Sequence, residues 1–390
     1  MDWTTAADLC VTIAAAPALA ASSYLAALAC FSRENEPPPP PPAWPRFEVI
    51  VPAHDEEANV AATVESVLAV DYPRDRLRVV VVADNCSDRT AERALAAGAE
   101  VIERSDAEHR GKGFALARAF EEALARGWAE AVVVVDADTR VSDNLLRAFA
   151  ARLGAGEVAV QAEYGVRNPE SSWRTRLMVL ALALFHTVRS RARERAGLSC
   201  GLRGNGMAIA LSALRVVPYD AFSIVEDVEY GLALGRAGHR VAYSGEATVL
   251  GEMAASSEAA RSQRQRWERG RRALARAEGV RFLARGLAKR NAVELDLAAD
   301  LLVPPLSTLA IAVAIGVLVS FFASLSIALV AWSLAALAIA LYVARGVFVA
   351  RLGVRALRDL AWAPVYVAWK LAVPARRPDE WIRTAREKTK

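Results

Sequence analysis

"VVVVDADTRVS", Val132 to Ser142, is an apolar run that ends abruptly in two acids, Asp136 and Asp138, with one small residue between them. A short, unbroken run of β-branched residues suits a strand buried on both faces, as in a parallel sheet covered by helices. Two carboxylates this close repel each other unless a cation or a reaction rewards the arrangement. The stretch therefore bears on the fold and on the chemistry together.

Upstream the same pattern repeats. β-branched runs at Phe47–Val51, Arg78–Val82 and Val101–Ile102 alternate with helical stretches expected at Glu56–Val70, Asp88–Ala97 and Lys112–Arg126, the last two closed by Gly98 and Gly127. Strand–helix alternation predicts an α/β domain with a parallel sheet, whose ligands sit at the carboxyl ends of the strands. The first strand runs into Pro52-Ala53-His54-Asp55-Glu56 and the second into Asp84-Asn85-Cys86-Ser87-Asp88. With Asp136-Ala137-Asp138 at the fourth, three strands deliver acids to one edge. Helix capping accounts for part of this, since Asp55, Asp88 and Asp143 precede expected helices. It accounts neither for the i, i+2 spacing of Asp136 and Asp138 nor for Asp84. A hard divalent cation does, because Mg²⁺ or Mn²⁺ takes one or two carboxylates and completes its shell with substrate phosphates.

The 390 residues are 54% hydrophobic with a net charge of +4, and the mean hydropathy of +0.20 is high for a soluble protein. The excess is concentrated. Leu9 to Phe31 carries no charge and is long enough to cross a bilayer, at roughly 20 residues per crossing. Leu301 to Ala344 is about twice that length and reads as two spans joined by a turn near Ser320 to Ser326. Leu360 to Val373 is shorter, contains Pro364 and Lys370, and reads as interfacial or re-entrant. Met1 to Asp8 lacks the basic residues of a signal peptide, so the first span is expected to be a retained anchor. Arginines flank the double span on both sides, from Arg261 to Arg272 and from Arg345 to Arg358. The positive-inside rule then puts Arg33 to Asp300 and the C-terminal tail in the cytoplasm, with the chain in an inner membrane. The expected organisation is an anchor at 1–36, a proline-rich linker at 37–46, a catalytic domain at 47–277 and a membrane region at 278–390. Pro37 to Pro42 should form a polyproline II spacer of about 19 Å at ~3.1 Å per residue. The four cysteines form no CxxC pair and no His/Cys cluster, which argues against structural zinc and a disulfide framework.

Seven short motifs now carry a resemblance: "VPAHDE" at Val51–Glu56, "ADNCSDRT" at Ala83–Thr90, "RGKG" at Arg110–Gly113, "DAD" at Asp136–Asp138, "RGNGMAI" at Arg203–Ile209, "VEDVEYGLAL" at Val225–Leu234 and "QRQRW" at Gln263–Trp267. In that order they resemble the membrane-bound family 2 glycosyltransferases, of the branch that includes cellulose, chitin and hyaluronan synthases. DxD alone is weak, whereas DxD, then ED, then QxxRW ahead of membrane spans is specific. The resemblance implies a GT-A fold and a nucleotide-sugar donor, expected to be UDP-linked. It implies that Ala53, His54, Glu56 and Asp84 line the nucleoside pocket, that Lys112 lies near the nucleotide, and that Asp136 and Asp138 hold it through Mg²⁺ or Mn²⁺. Asp227 would be the general base, with Glu226 beside it. Gln263, Arg266 and Trp267 would close over the pyrophosphate and the acceptor channel, and Gly204, Asn205 and Gly206 are assigned to the acceptor side.

Elementary chemistry agrees. Inverting transfer needs an acceptor hydroxyl deprotonated as it attacks and a diphosphate leaving group relieved of charge. A carboxylate serves the first need, and a metal with an arginine serves the second. Against this, Asp227 at a helix start is also what the helix dipole favours, and a basic segment with a tryptophan is what an anionic membrane attracts. Trp173 to Arg195 has an apolar centre too short to span a bilayer and is expected to be a core helix. Gly204-Asn205-Gly206 lacks the spacing of a dinucleotide loop, and there is no Walker A sequence. Three functions remain: a polymer-type glycosyltransferase acting on a glycan, a single-addition transferase acting on a polyprenyl phosphate or glycolipid, and a silent membrane subunit of a synthase complex. None involves nucleic acid, and the number of copies in the assembly is left open.

Overall fold

The structure is a computed structural model, and it describes residues 3–254, 257–353 and 355–363, without the side chains of 257–264 and 357. Its centre is one eight-stranded sheet, in the order β3-β2-β1-β4-β7-β6-β8-β5. The strands are β1 (Phe47–Ala53), β2 (Leu77–Asp84), β3 (Glu100–Arg104), β4 (Ala131–Val134), β5 (Arg140–Val141), β6 (Ala159–Val166), β7 (Met207–Ala210) and β8 (Ala242–Gly251).

Alternation within the strands explains the sandwich. Val49 and Val51 of β1, with Val133 and Val135, pack against Val60, Val64 and Val67 of α2 (Val60–Leu68) on one face. Ile50, Val132 and Val134 pack on the other, against helices that follow in the chain and carry Leu116, Phe120, Leu214 and Leu234. Both faces of β1 and β4 are thus covered, and the one charged side chain on them, Glu48 of β1, is buried facing Arg126. Each fully buried valine contributes about 1.5–3 kcal/mol relative to exposure.

Helices α3 (Thr90–Ala96), α4 (Lys112–Arg126) and α5 (Leu145–Gly154) complete the parallel half, and α4 has the bounds that the sequence predicts. The sheet is not all parallel, however. β7 runs antiparallel to β4, β6 antiparallel to β7 and β5 antiparallel to β8. Strand–helix alternation stops after β4, so this second half carries no crossover signal.

A helix continues from α6 (Trp173–Leu182) through a π-type turn at Ala183–Val188 into α7 (Arg189–Arg195). Its Leu180, Leu184 and Val188 share a core with the apolar helices, so it joins the catalytic sheet to them. Next come α8 (Leu211–Val216), α9 (Glu226–Arg236), α10 (Ser257–Leu274), α11 (Val280–Lys289) and α12 (Ala292–Leu302).

Among the described residues, two helices are long and apolar enough to cross a membrane, α1 (Trp3–Phe31) and α14 (Ser326–Val349). Between α12 and α14 lies α13 (Leu306–Phe322), and α12 with α13 forms a pair bent by 68° that also passes as one broken span. The break between α13 and α14 falls at residues 323–325, inside the expected turn. α1 and α14 are pinned at both ends. Asp8 accepts from the Ala328 amide at 2.8 Å and the Ile327 amide at 3.1 Å, capping α14. At the other end Arg345 donates to Ser32 Oγ at 2.8 Å and to its carbonyl at 2.6 Å. The two helices therefore run parallel, and the chain leaves α1 for the catalytic domain at the end where the Arg345 flank begins. α15 (Arg355–Leu360) covers the start of the third apolar segment, and the rest of that segment, from Pro364 to Val373, lies outside the described residues.

A buried polar junction connects these parts. Arg193, 1% exposed, donates to Asp296 and Asp300, each at 2.7 Å, and to Tyr24 of α1 at 2.6 Å. Arg189 donates to Asp300 and to Tyr342 of α14, both at 2.9 Å. Buried charges are tolerated only when paired and hydrogen-bonded, and these pairs couple α1, α7, α12 and α14.

Candidate active site

Adjacent parallel strands open their loops at one edge. Ala53 lies opposite Ala83, and Ile50 opposite Val134, so the ends of β2, β1 and β4 stand side by side. Asp84 closes β2 and is buried, and Arg104, the last residue of β3, meets its Oδ1 at 2.7 Å. His54 Nδ1 lies 2.7 Å from the Asp84 carbonyl, which can only accept, so Nδ1 carries the proton. Ala53 is buried beneath this edge, and Glu56 takes a bond from its own amide to Thr90 Oγ1 at 2.7 Å.

The capping expectations divide here. Asp88 accepts from the Thr90 amide, the first of α3, at 2.9 Å, although the N-cap itself is Arg89. Asp55 accepts instead from the Ser87 amide at 2.6 Å, tying the β1 loop to the β2 loop, and α2 begins only at Val60. Asp143 is exposed, and the residue ahead of α5 is Asn144. Asp55, Cys86 and Asp88 lie close enough to share a metal ion, and both acids also accept backbone amides that lace the loops.

The Asp136–Asp138 loop is braced from β7. Gly206 donates to the Val134 carbonyl at 2.9 Å, continuing the ladder past β4. Asn205 is fully buried; its Oδ1 accepts from the Asp136 amide at 3.1 Å and its Nδ2 donates to Thr139 Oγ1 at 2.9 Å. Its carbonyl accepts from Gln161 Nε2 at 2.7 Å. Through these bonds Asn205 holds the acid loop in shape. Gly206 is likewise pressed against Val249. Gly204 is different. Its φ is +76°, and a Cβ there would lie 3.3 Å from Asp227 Oδ2 and 3.4 Å from Lys112 Nζ. Only glycine meets both demands.

Lys112, at the start of α4, brings the edge together. Its Nζ reaches Asp136 Oδ1 at 2.5 Å, the Gly204 carbonyl at 2.6 Å and Glu226 Oε1 at 3.8 Å. Burial works against its charge, but Asp136 and Glu226 outweigh that and hold it protonated. Burial pushes Glu226 up to about 8. It raises Asp227 as well, against the pull of Lys112. A carboxylate held above its ordinary range is suited to proton transfer. Arg266 of α10 is depressed by burial, and its charge is favoured by Glu226 and Asp136, which places it on the same side. Trp267 is half-buried beside it, while the side chain of Gln263 is outside the described residues. Asp138 is buried, with Thr139 Oγ1 3.4 Å from its carboxylate.

Two residues escaped the sequence. Arg104 follows the same strand-end rule as the acids, but its strand is only five residues long and its end carries a cation. Phe222 stacks on Phe114 with centroids 4.5 Å apart, joining the loop ahead of Glu226 to the start of α4. Nothing in its local pattern marks that contact.

Residues 45–270 match the model of a family described as glycosyltransferase like family 2. A probable glycosyltransferase, YdaM, of Bacillus subtilis is 25% identical over 263 residues, covering 65% of this chain and 61% of that protein. A beta-monoglucosyldiacylglycerol synthase of Synechocystis is 29% identical over 234 residues, covering 58% of this chain and 48% of that protein. The chain thus spans about half to three fifths of the length of these relatives. Among solved structures, a mannosyltransferase from Pyrobaculum calidifontis in complex with GDP-Man and Mn²⁺ superposes with a TM-score of 0.55 at 20% identity. That match covers 85% of this chain and 97% of the other, and it carries the GT-A fold.

Proposed function

The chain belongs to glycosyltransferase-like family 2, and from that premise we propose that it moves a sugar from a nucleotide-sugar donor to a glycan or lipid-linked acceptor at the cytoplasmic membrane face, with inversion. The observation that carries the reading is the convergence of Lys112 and Asp227 at Gly204, with Asp136 bound to the same lysine. Asp84, with Arg104 behind it, and His54 and Glu56 form the nucleoside end. Lys112 and Arg266 face the diphosphate. Asp227 takes the acceptor proton, and Glu226 stands beside it at the start of α9.

The carboxylate oxygens of Asp136 and Asp138 form a hard donor set on one loop, which suits Mg²⁺ or Mn²⁺ bound together with substrate phosphates. Lys112 already engages one oxygen of Asp136, so Asp138 is the principal ligand and Asp136 the shared one. When bound, the ion offsets charge that builds on the leaving diphosphate.

Membrane attachment rests on α1 and α14, and the cytoplasmic placement on their parallel packing, which puts the catalytic domain and the arginine flank at one end. A single-addition, lipid-directed reaction is the second reading. It is favoured by a relative whose name is that of a beta-monoglucosyldiacylglycerol synthase. Incubating the full chain in nanodiscs with UDP- and GDP-linked sugars and a lipid extract separates these: a ladder of products marks polymerisation and one adduct marks single addition. Binding of donor without hydrolysis or transfer would leave the silent-subunit reading.

A further inference from the structure

α10, which carries Arg266 and Trp267, is tied down by a carboxylate far outside the acid edge in sequence. Asp300 of α12 is buried and accepts from three arginines: Arg193 at 2.7 Å, Arg189 at 2.9 Å and Arg271 at 3.0 Å. The first two lie on α7, but Arg271 lies on α10, and it also donates to the Asp300 carbonyl. The neighbouring Gly270 admits Val225, since a Cβ at 270 would come 2.8 Å from Val225 Cγ1. Val225 immediately precedes Glu226 and Asp227.

We propose that Asp300 is a positioning residue for the transfer reaction: through Arg271 it fixes α10, and through α10 it sets both Arg266 and the start of the helix that bears Asp227. The inference rests on the roles given above to Arg266 and Asp227. A buried carboxylate shared by three guanidinium groups is weak evidence for net stability, because desolvation offsets the attraction. What it specifies is geometry, and displacements of about 1 Å remote from the chemistry can cost roughly 10²-fold in rate. The same carboxylate binds α7, which packs beside the apolar helices, so the placement of α10 is referred to the membrane part of the molecule.

Arg271 is the clean handle. Arg271→Ala cuts the link to α10 and leaves Asp300 with Arg189 and Arg193, whereas Asp300→Ala strips all three arginines and threatens folding. The full chain in nanodiscs is compared with Arg271→Ala and Arg271→Lys by hydrogen exchange of residues 265–274 and by sugar transfer. The expected result for Arg271→Ala is faster exchange in α10, unchanged exchange in β1 and β4, and transfer lowered roughly 10- to 100-fold. Arg271→Lys, which keeps the charge, recovers both in part. Wild-type exchange in α10, or wild-type transfer despite faster exchange, overturns the proposal. Should the wild-type chain transfer no sugar, the functional reading fails, while the exchange arm still decides whether Arg271 holds α10.

Discussion

Asp227 and Lys112 both lie where a side chain on Gly204 would begin, so a carboxylate and a cation border the same small volume. Lys112 is held by Asp136 and the Gly204 carbonyl, and the proposed reaction gives it to the donor side and Asp227 to the acceptor. Asp227→Asn keeps shape and hydrogen bonding and removes only the base. Its transfer rate should fall about 10²- to 10⁴-fold, with nucleotide diphosphate affinity unchanged by calorimetry. Because burial raises Asp227, and the base works deprotonated, kcat/KM in the wild type should decline on acidification already above the ordinary carboxylate range. Asp227→Asn should lose that acidic limb, and a limb that persists would assign it to another group. Asn205 shows the limit at this scale: its motif suggests the acceptor side, whereas its burial and its three hydrogen bonds, with Asp136, Thr139 and Gln161, suit a brace. Short polar motifs report that a residue matters, and only neighbours distant in sequence report how.

Elements were legible where periodicity was local. The parallel strands and α4 follow from apolar runs and from Gly127, whereas the antiparallel half was not read. β5 and β7 have two and four residues, and β6 and β8 carry glycines and polar residues that mask alternation. Their pairing is non-local, with a register shift between Ala162 and Glu163, and no window along the chain contains it. α4 itself supports a test. A Cβ on Gly113 would lie 2.4 Å from the Ala221 carbonyl, a backbone atom that cannot swing aside. Helix propensity would favour alanine over glycine by about 1 kcal/mol, while overpacking typically costs about 1–3 kcal/mol. The clash should win. Gly113→Ala is expected to lower Tm and to slow transfer by displacing the loop that leads to Glu226; a raised Tm with normal transfer would show that the loop yields freely.

At the scale of the whole molecule, an acid-lined edge of an α/β sheet is fastened to apolar helices by the junction around Asp300, while Asp8 and Arg345 pin two of those helices, α1 and α14, to each other. The charge-free segments were visible in the sequence; their parallel packing and the buried arginines of α7 were not, since a basic run reads as a solvated or membrane-facing surface. With the catalytic domain and the arginine flank at one end of α1 and α14, a reporter inserted in Pro37–Pro42 should be cytoplasmic, and a periplasmic signal there would invert the topology. The most direct test of the whole account is transfer itself. The purified full chain, given labelled nucleotide sugar, Mn²⁺ and a lipid extract, should form a labelled adduct, and excess EDTA or Asp138→Ala should abolish it. Undiminished transfer in EDTA would contradict a reaction run through Asp136 and Asp138.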